Sequence, residues 1–341
     1  MYADEMVATA QAMVTSGKGI LAADESYSTA NKRFEKLGIP TTEEARRAYR
    51  DMLLLTPGLG DFISGVILFD ETIHQSTHDG VPFAEAIVTA GMIPGIKLDT
   101  GAKPLAGAPG ETVTEGLDNL RDRVADYYKL GARFAKWRAV LTIGDGIPSR
   151  RCIEANAHAL ARYAAICQEG GLVPIVEPEV LMDGAHTLER SFEVTEEVLH
   201  TVFAQLYLHK VVPEQMILKP SMVIPGEKSS QQVSVEAVAT ATVKCLLCTV
   251  PAAVPGIAFL SGGQSEELAT AHLNAMNTLF KGKMPWPLTF SYGRALQQPA
   301  LLAWMGQDAN VPTARQALHH RVKCNSAASL GQYTEEMEKA A

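Results

Sequence analysis

The chain is short of several things whose presence would have narrowed its function. Cysteine is sparse: five in 341 residues, at Cys152, Cys167, Cys245, Cys248 and Cys324. An odd, scattered set in a chain this long does not build a disulfide framework and fits a reducing compartment. Positive charge is in deficit, with 30 Lys and Arg against 38 Asp and Glu and a net charge of −8. That balance argues against an extended nucleic-acid surface or a face for anionic lipid. Long apolar runs are missing. The longest, VPAAVPGIAFL (250–260), is too short for a bilayer and holds two prolines. The opening MYADEMVATAQAM carries two acids and no basic segment, so it does not read as a signal peptide. The expectation is a soluble, cytoplasmic protein, or a plastid-stroma one if a transit peptide was removed before this numbering begins. Neither GxGxxG nor GxxxxGK[ST] occurs, so the usual nucleotide-phosphate loops are absent.

What is present is a regular alternation. Eight short β-like runs recur: KGILAAD (18–24), SGVILFD (64–70), IPGIKLD (93–99), ARFAKWRAV (132–140), LVPIVEPEV (172–180), MILKPSM (216–222), GIAFLSGG (256–263) and PLTFSYG (287–293). Between them lie helical patterns. In IEANAHALARYAAI, Ile153, Ala157, Leu160, Ala161 and Ala164 share a stripe; in LDNLRDRVADYYKL, Leu117, Leu120, Val124 and Tyr127 do. Strands alternating with helices imply a parallel sheet, and eight strands is the number that closes a (β/α)8 TIM barrel. An open doubly wound sheet is the alternative, but it usually announces a glycine-rich loop after its first strand. The reading is an α/β fold in one domain over 1–341, with the barrel at about 17–305 and a C-terminal helical segment at about 306–341.

The charges inside these runs point to a site. Asp24, Lys97 with Asp99, Lys136 with Arg138, Glu177 with Glu179, and Lys219 all stand toward the carboxyl ends of their strands, where barrel active sites gather. Residues two apart share a strand face, so each pair points one way. A buried ion network without chemistry is the plain alternative. Five strands delivering charge to one level, at several kcal/mol of desolvation per ion, argue for a functional mouth instead. Lys219, among apolar residues and crowded by Lys136, is expected to have a lowered pKa, since both influences disfavour the ammonium. A neutral amine attacks a ketone to form a Schiff base, whose iminium stabilises a neighbouring carbanion as an enamine. Nearby carboxylates would carry the protons. After strands seven and eight, Ser261, Gly262, Gly263 and Arg294 form a candidate phosphate site, with tight βα turns as the alternative. DESYSTANKR (24–33), joined by Lys97 and Arg138, offers a second anion site.

Other signals are weaker. HQSTH spaces His74 and His78 as a helical zinc pair would be, but in a polar loop with no third ligand. CLLC (245–248) reads as small buried hydrophobes, and TEEMEKAA as a solvated, frayed end. No metal and no cofactor is assigned.

GKGILAADES, GVILFDETI, ARFAKWRAVL, VPIVEPEV, ILKPSMV, FLSGGQSEE and LTFSYGRALQ together resemble class I fructose-1,6-bisphosphate aldolases of the plant-plastid and bacterial form, in order from about residue 17 to 333. The resemblance implies a (β/α)8 barrel, usually a homotetramer, that reversibly cleaves fructose 1,6-bisphosphate to dihydroxyacetone phosphate and glyceraldehyde 3-phosphate without metal. It places the activity in glycolysis, gluconeogenesis or the Calvin cycle. It assigns Schiff-base formation to Lys219 and carbinolamine formation and dehydration to Glu177. Glu179 and Lys136 are the charged neighbours, and Asp24 deprotonates the hydroxyl whose collapse breaks the carbon–carbon bond. Ser261, Gly262, Gly263, Ser291, Gly293 and Arg294, with Arg33 nearby, would hold the ketone-side phosphate. Ser26, Thr29, Lys97 and Arg138 would hold the aldehyde-side phosphate. Two departures stand out. Tyr27-Ser28-Thr29 replaces the frequent Thr-Gly-Ser, and there is no terminal tyrosine, Tyr333 matching an earlier one. Other Schiff-base sugar-phosphate aldolases, transaldolase, a pyridoxal-phosphate barrel enzyme and a non-catalytic phosphosugar-binding scaffold are the competing readings.

Overall fold

The computed structural model describes residues 2–340. Ten strands form, named in chain order: β1 (Gly19–Ala23), β2 (Ile63–Leu68), β3 (Ile93–Lys97), β4 (Gly101–Pro104), β5 (Thr112–Glu115), β6 (Phe134–Leu141), β7 (Val173–Val180), β8 (Ile217–Leu218), β9 (Ile257–Phe259) and β10 (Leu288–Tyr292). Eight of them close a parallel barrel in the order β1-β10-β9-β8-β7-β6-β3-β2. All eight sequence-expected strands are these eight. β4 and β5 are an antiparallel hairpin that sequence reading did not pick out, because TGAKPLAGAPGETVTEG reads as turns. Among the described residues no helix is long and apolar enough to cross a membrane.

The period-2 alternation of the strands sorts residues into two layers. Ile20, Ala22, Ile67, Phe134, Val173, Ile175, Ile217 and Ala258 fill the barrel interior. Their neighbours Leu21, Ala23, Ala135, Trp137, Ala139, Val176 and Leu218 belong to the outer core beneath the helices. The helix Ala3–Met13 plugs the lower end, its Met6, Ala10 and Met13 packing with the interior cluster. Aromatic rings pack in both layers, Phe134 inside the barrel and Phe290 in the outer core, and glycines beside them make the room. A Cβ on Gly19 would stand 2.5 Å from the Phe290 ring, and one on Gly95 would overlap Phe134. Each of these fully buried rings contributes about 2–3 kcal/mol by leaving water.

Continuing the same two-residue step upward predicts where the charges go. Ala22 leads to Asp24, Gly95 to Lys97, Phe134 to Lys136 and Arg138, Ile175 to Glu177 and Glu179, and Ile217 to Lys219. The register brings the series level: Lys97 lies opposite Lys136, and Arg138 opposite Glu177. Lys219 follows directly on β8, its N–H donating to Val176.

Helices cover the outside. The patterns at 117–130 and 153–166 appear as helices Leu120–Lys129 and Arg150–Glu169, the latter capped by Ser149. Helix Val311–Ser329 packs Ala314, Leu318, Val322 and Ala328 into the core. The acidic segment is not frayed as far as Glu338, and Ala341, the end of TEEMEKAA, lies outside the described residues. Glu338 receives bonds from Arg321 and Tyr333, and its partner Arg321 is buried against the helix Glu266–Leu279. A buried guanidinium needs a carboxylate, which composition alone did not reveal. The CLLC reading also needs correcting: Cys245 is buried, but Cys248 is exposed on the outer side of its helix.

Candidate active site

A cavity of about 610 Å³ opens at the carboxyl ends of the barrel strands. Every residue selected from the sequence lines it: Asp24, Ser26, Thr29, Arg33, Lys97, Lys136, Arg138, Glu177, Glu179, Lys219, Ser261, Gly262, Gly263, Ser291, Gly293 and Arg294. Glu25, Ser28 and Lys103 were missed, and Asp99 had been read only as a strand-face partner of Lys97; all four line it as well.

At the floor is a chain of alternating charge. Lys219 Nζ lies 3.1 Å from Glu177 Oε1, Lys136 Nζ lies 3.4 Å from Glu177 Oε2, and Lys136 Nζ lies 2.7 Å from Asp24 Oδ2. Asp99 approaches Lys136 at 3.9 Å and holds Lys97 at 2.6 Å. The expectation that Lys136 simply crowds Lys219 needs revising, because the carboxylate of Glu177 stands between the two ammoniums. Burial lowers the proton affinity of Lys136, but Asp24, Glu177 and Asp99 more than offset it, and Lys136 is held cationic well above the usual lysine range. Burial likewise pushes the Asp24 carboxyl up, and Lys136 and Lys219 outweigh it, holding Asp24 down at about 2.

That depression has a thermodynamic consequence. The folded Asp24 takes its proton near pH 2 and the unfolded one near 3.8. On acidification the unfolded chain therefore binds protons first. The stabilisation, about 2 kcal/mol, is complete above pH 4 and is lost as pH falls through 3.8 toward 2. Asp24→Asn is expected to remove that part of the acid dependence, seen as a flatter slope of urea midpoints between pH 5 and 3. An unchanged slope would contradict the assignment.

Two buried oxygens in the cavity have no hydrogen-bond partner among the described residues: Glu177 Oε2 and Ser291 Oγ. Native interiors rarely leave such atoms unpaired. Glu177 thus pairs with Lys219 through one oxygen, while the other faces Lys136 at 3.4 Å without accepting a hydrogen bond.

Two groups of polar residues stand on the rim. On one side, Ser261 to Gln264 make a tight turn with Gly262 at φ +56° and Gly263 at φ +88°, conformations side chains other than glycine rarely adopt. The Gly262 and Gly263 N–H groups have no partner among the described residues, and Arg294, exposed at the start of helix Arg294–Trp304, has no ion-pair partner there. On the other side, the helix Tyr27–Glu35 begins at Ser26, whose hydroxyl bonds Ser28 (3.1 Å) and Thr29 (3.2 Å) rather than the backbone. Tyr27, the bulky departure, does not line the cavity. It packs edge-on to Phe69, and the Arg46 guanidinium covers its ring. Arg138 is half-exposed and paired with Glu179. Arg33 and buried Arg50 share Glu25, at 2.8 and 2.7 Å. Burial raises the Glu25 carboxyl, and Arg50 and Arg33 pull it below the ordinary value. Glu25 could have been found as the neighbour of Asp24 in DES, but nothing in sequence shows that its partners would be Arg33 and Arg50.

The discounted signals fall elsewhere. His74 is exposed and 3.4 Å from Asp70. Tyr333 is outside the cavity, its hydroxyl donating to Glu338. The one cluster of metal-capable side chains among the described residues is His320, Cys324 and Glu338, and Arg321 already neutralises its carboxylate.

Comparisons agree along the whole chain. A family model described as "Fructose-bisphosphate aldolase class-I" matches residues 5–341. A "Probable fructose-bisphosphate aldolase class 1" of Xanthomonas axonopodis pv. citri is 60% identical over 98% of this chain and 99% of its own length. "Fructose-bisphosphate aldolase 4, cytosolic" of Arabidopsis thaliana is 55% identical over 96% and 84%. A solved structure of fructose-bisphosphate aldolase from Plasmodium falciparum, in complex with TRAP and a small-molecule inhibitor, superimposes with a TM-score of 0.96 at 48% identity, covering 98% of this chain and 96% of the other.

Proposed function

Since the chain belongs to the class I fructose-bisphosphate aldolase family, we propose that Lys219 is its Schiff-base lysine and that the floor charges divide the proton transfers of the aldol cleavage. The observation that carries this reading is the Lys219–Glu177 pair, 3.1 Å apart at the cavity floor, with the second carboxylate oxygen facing Lys136 but accepting no hydrogen bond.

Unprotonated Lys219 Nζ attacks the ketone carbon, and the carbonyl oxygen takes a proton to give a carbinolamine. Glu177, in its acid form, donates the proton that lets that oxygen leave as water, and an iminium remains. The iminium draws in the electron pair of the adjacent carbon–carbon bond. As that bond breaks, the neighbouring hydroxyl becomes a protonated aldehyde and sheds its proton to Asp24. A carboxylate of such low basicity suffices because the hydroxyl turns strongly acidic only as cleavage proceeds. Lys136, bonded to Asp24 and 3.4 Å from Glu177, sets one positive charge against both carboxylates and holds Asp24 ionised. Protonation of the enamine carbon and hydrolysis of the iminium then release dihydroxyacetone phosphate and restore the amine.

The substrate is a phosphosugar, and the two rims suit its two ends. Ser261, Gly262, Gly263, Ser291, Gly293 and Arg294 receive the ketone-side phosphate, with Arg33 nearby; Ser26, Thr29, Lys97 and Arg138 receive the aldehyde-side one, with Glu179 orienting Arg138. A cytoplasmic location, which the cytosolic plant relatives support, and a homo-oligomer, a tetramer by family habit, complete the reading.

Borohydride added with dihydroxyacetone phosphate is expected to inactivate the enzyme and add the reduced ketose phosphate to the peptide bearing Lys219. Activity without borohydride should persist in a chelator. A modified peptide elsewhere, or none, would refute the assignment.

A further inference from the structure

The turn that carries Ser261, Gly262 and Gly263 is braced from behind by two buried side chains that do not touch the cavity. The Ser261 carbonyl accepts the Gln264 N–H at 3.1 Å, closing the turn around its two left-handed glycines. The same carbonyl accepts a second bond, 2.9 Å, from Gln264 Nε2, which also lies 3.6 Å from Met222 Sδ. With the nitrogen donating there, Oε1 is left as an acceptor, and it lies 2.6 Å from His272 Nδ1. His272 must then carry its proton on Nδ1. Burial, which holds the ring down at about 4, keeps it neutral at physiological pH, so one tautomer satisfies the whole relay. Gln264 and His272 are only 5% and 4% exposed. In front, the turn abuts Arg294, whose Nη2 would lie 3.8 Å from a Cβ on Gly263. Glycines at positive φ leave a turn conformational freedom, and here a side-chain bond reinforces the single backbone bond that closes it.

We propose that Gln264 and His272 are positioning residues for the phosphate-binding turn, setting affinity for the ketone-side phosphate through the Ser261 carbonyl. This rests on the turn being that phosphate's pocket, as proposed above. The ring holds the amide, the amide holds the turn, and the turn presents its free N–H groups beside Arg294. Losing the brace weakens phosphate binding more than the chemistry at Lys219, because Gln264 and His272 lie outside the floor charges.

Steady-state cleavage kinetics test this on the full-length enzyme. His272→Leu is expected to raise KM for fructose 1,6-bisphosphate about tenfold, the loss of one buried hydrogen bond, with kcat changed less than threefold. His272→Asn, whose amide nitrogen takes the place of Nδ1, should return KM to within threefold of the parent. Gln264→Met, which removes the brace at the amide itself and leaves the His272 Nδ1–H without its acceptor, should repeat the KM effect and stands in for His272→Leu if that variant does not fold. Unchanged KM in the folded brace variants, or Asn performing no better than Leu, overturns the inference. Arg294→Ala is measured alongside. If it raises KM while the brace variants do not, the pocket stands and the relay fails. If neither changes KM, the pocket reading falls and the relay with it.

Discussion

Lys219→Met is expected to lower kcat by about 10⁴-fold or more, the scale on which removing a covalent nucleophile falls, while leaving the fold intact. Methionine matches the length and apolar character of the lysine stem, so the core of the β8 mouth keeps its packing. What disappears is the amine, and with it any route to an iminium. Glu177 Oε1 loses its 3.1 Å partner, but Lys136 remains 3.4 Å from the other oxygen, so the carboxylate is not left without a counter-charge. Lys219→Arg separates the two roles of this residue. It retains the positive charge beside Glu177, yet a guanidinium does not give up its proton and forms no imine. Both variants should be inactive to the same degree and should take up no label from borohydride with dihydroxyacetone phosphate. Residual kcat above about 1% of the parent in the Arg variant would mean that the ammonium acts by charge alone, and the covalent route would be wrong.

Glu177→Gln should cost about 10²–10⁴ in kcat and about 3 kcal/mol in stability, for two separable reasons. The kinetic loss is expected because Glu177 is the proposed proton donor as the carbinolamine loses water, and an amide cannot take that part. The stability loss comes from Lys136 and Lys219, both nearly fully buried, facing one another across a neutral amide. Repulsion at that distance in a dry site is not screened by salt. Single-turnover borohydride trapping measures the first effect, because the rate of label incorporation follows iminium formation. Urea midpoints measure the second, and raising the salt concentration should not restore them. If trapping proceeds at the parent rate, Glu177 is a structural counter-ion and the acid lies elsewhere in the cavity.

The two effects are unequal in kind, and that bears on how such a site persists. Burying four charged groups at the floor is costly for each, yet the chain Asp24–Lys136–Glu177–Lys219 alternates in sign, so each ion faces opposite neighbours. The arrangement keeps Lys136 cationic and Asp24 anionic through the neutral range.

Much of this was readable from the residues alone. Alternation of strand and helix pointed to the barrel, since strands joined through helices imply a parallel sheet and eight of them can close one. The same period put Lys136 over Phe134 and Glu177 over Ile175, and so predicted that charges near the strand ends would share a mouth. The long motifs identified the family and chemistry that the comparisons bear out. Tertiary structure alone decided who pairs with whom. It set Glu177 between two lysines that sequence could only describe as crowded, and gave Glu25 to Arg33 and Arg50. It brought His272 to the back of a turn eight residues away, and docked the acidic end of the chain on Arg321. The physical reason is that periodicity specifies which face a side chain occupies, a local property of the backbone. Partnership between ions depends on distances across strands and turns, and these exist only once the barrel has closed.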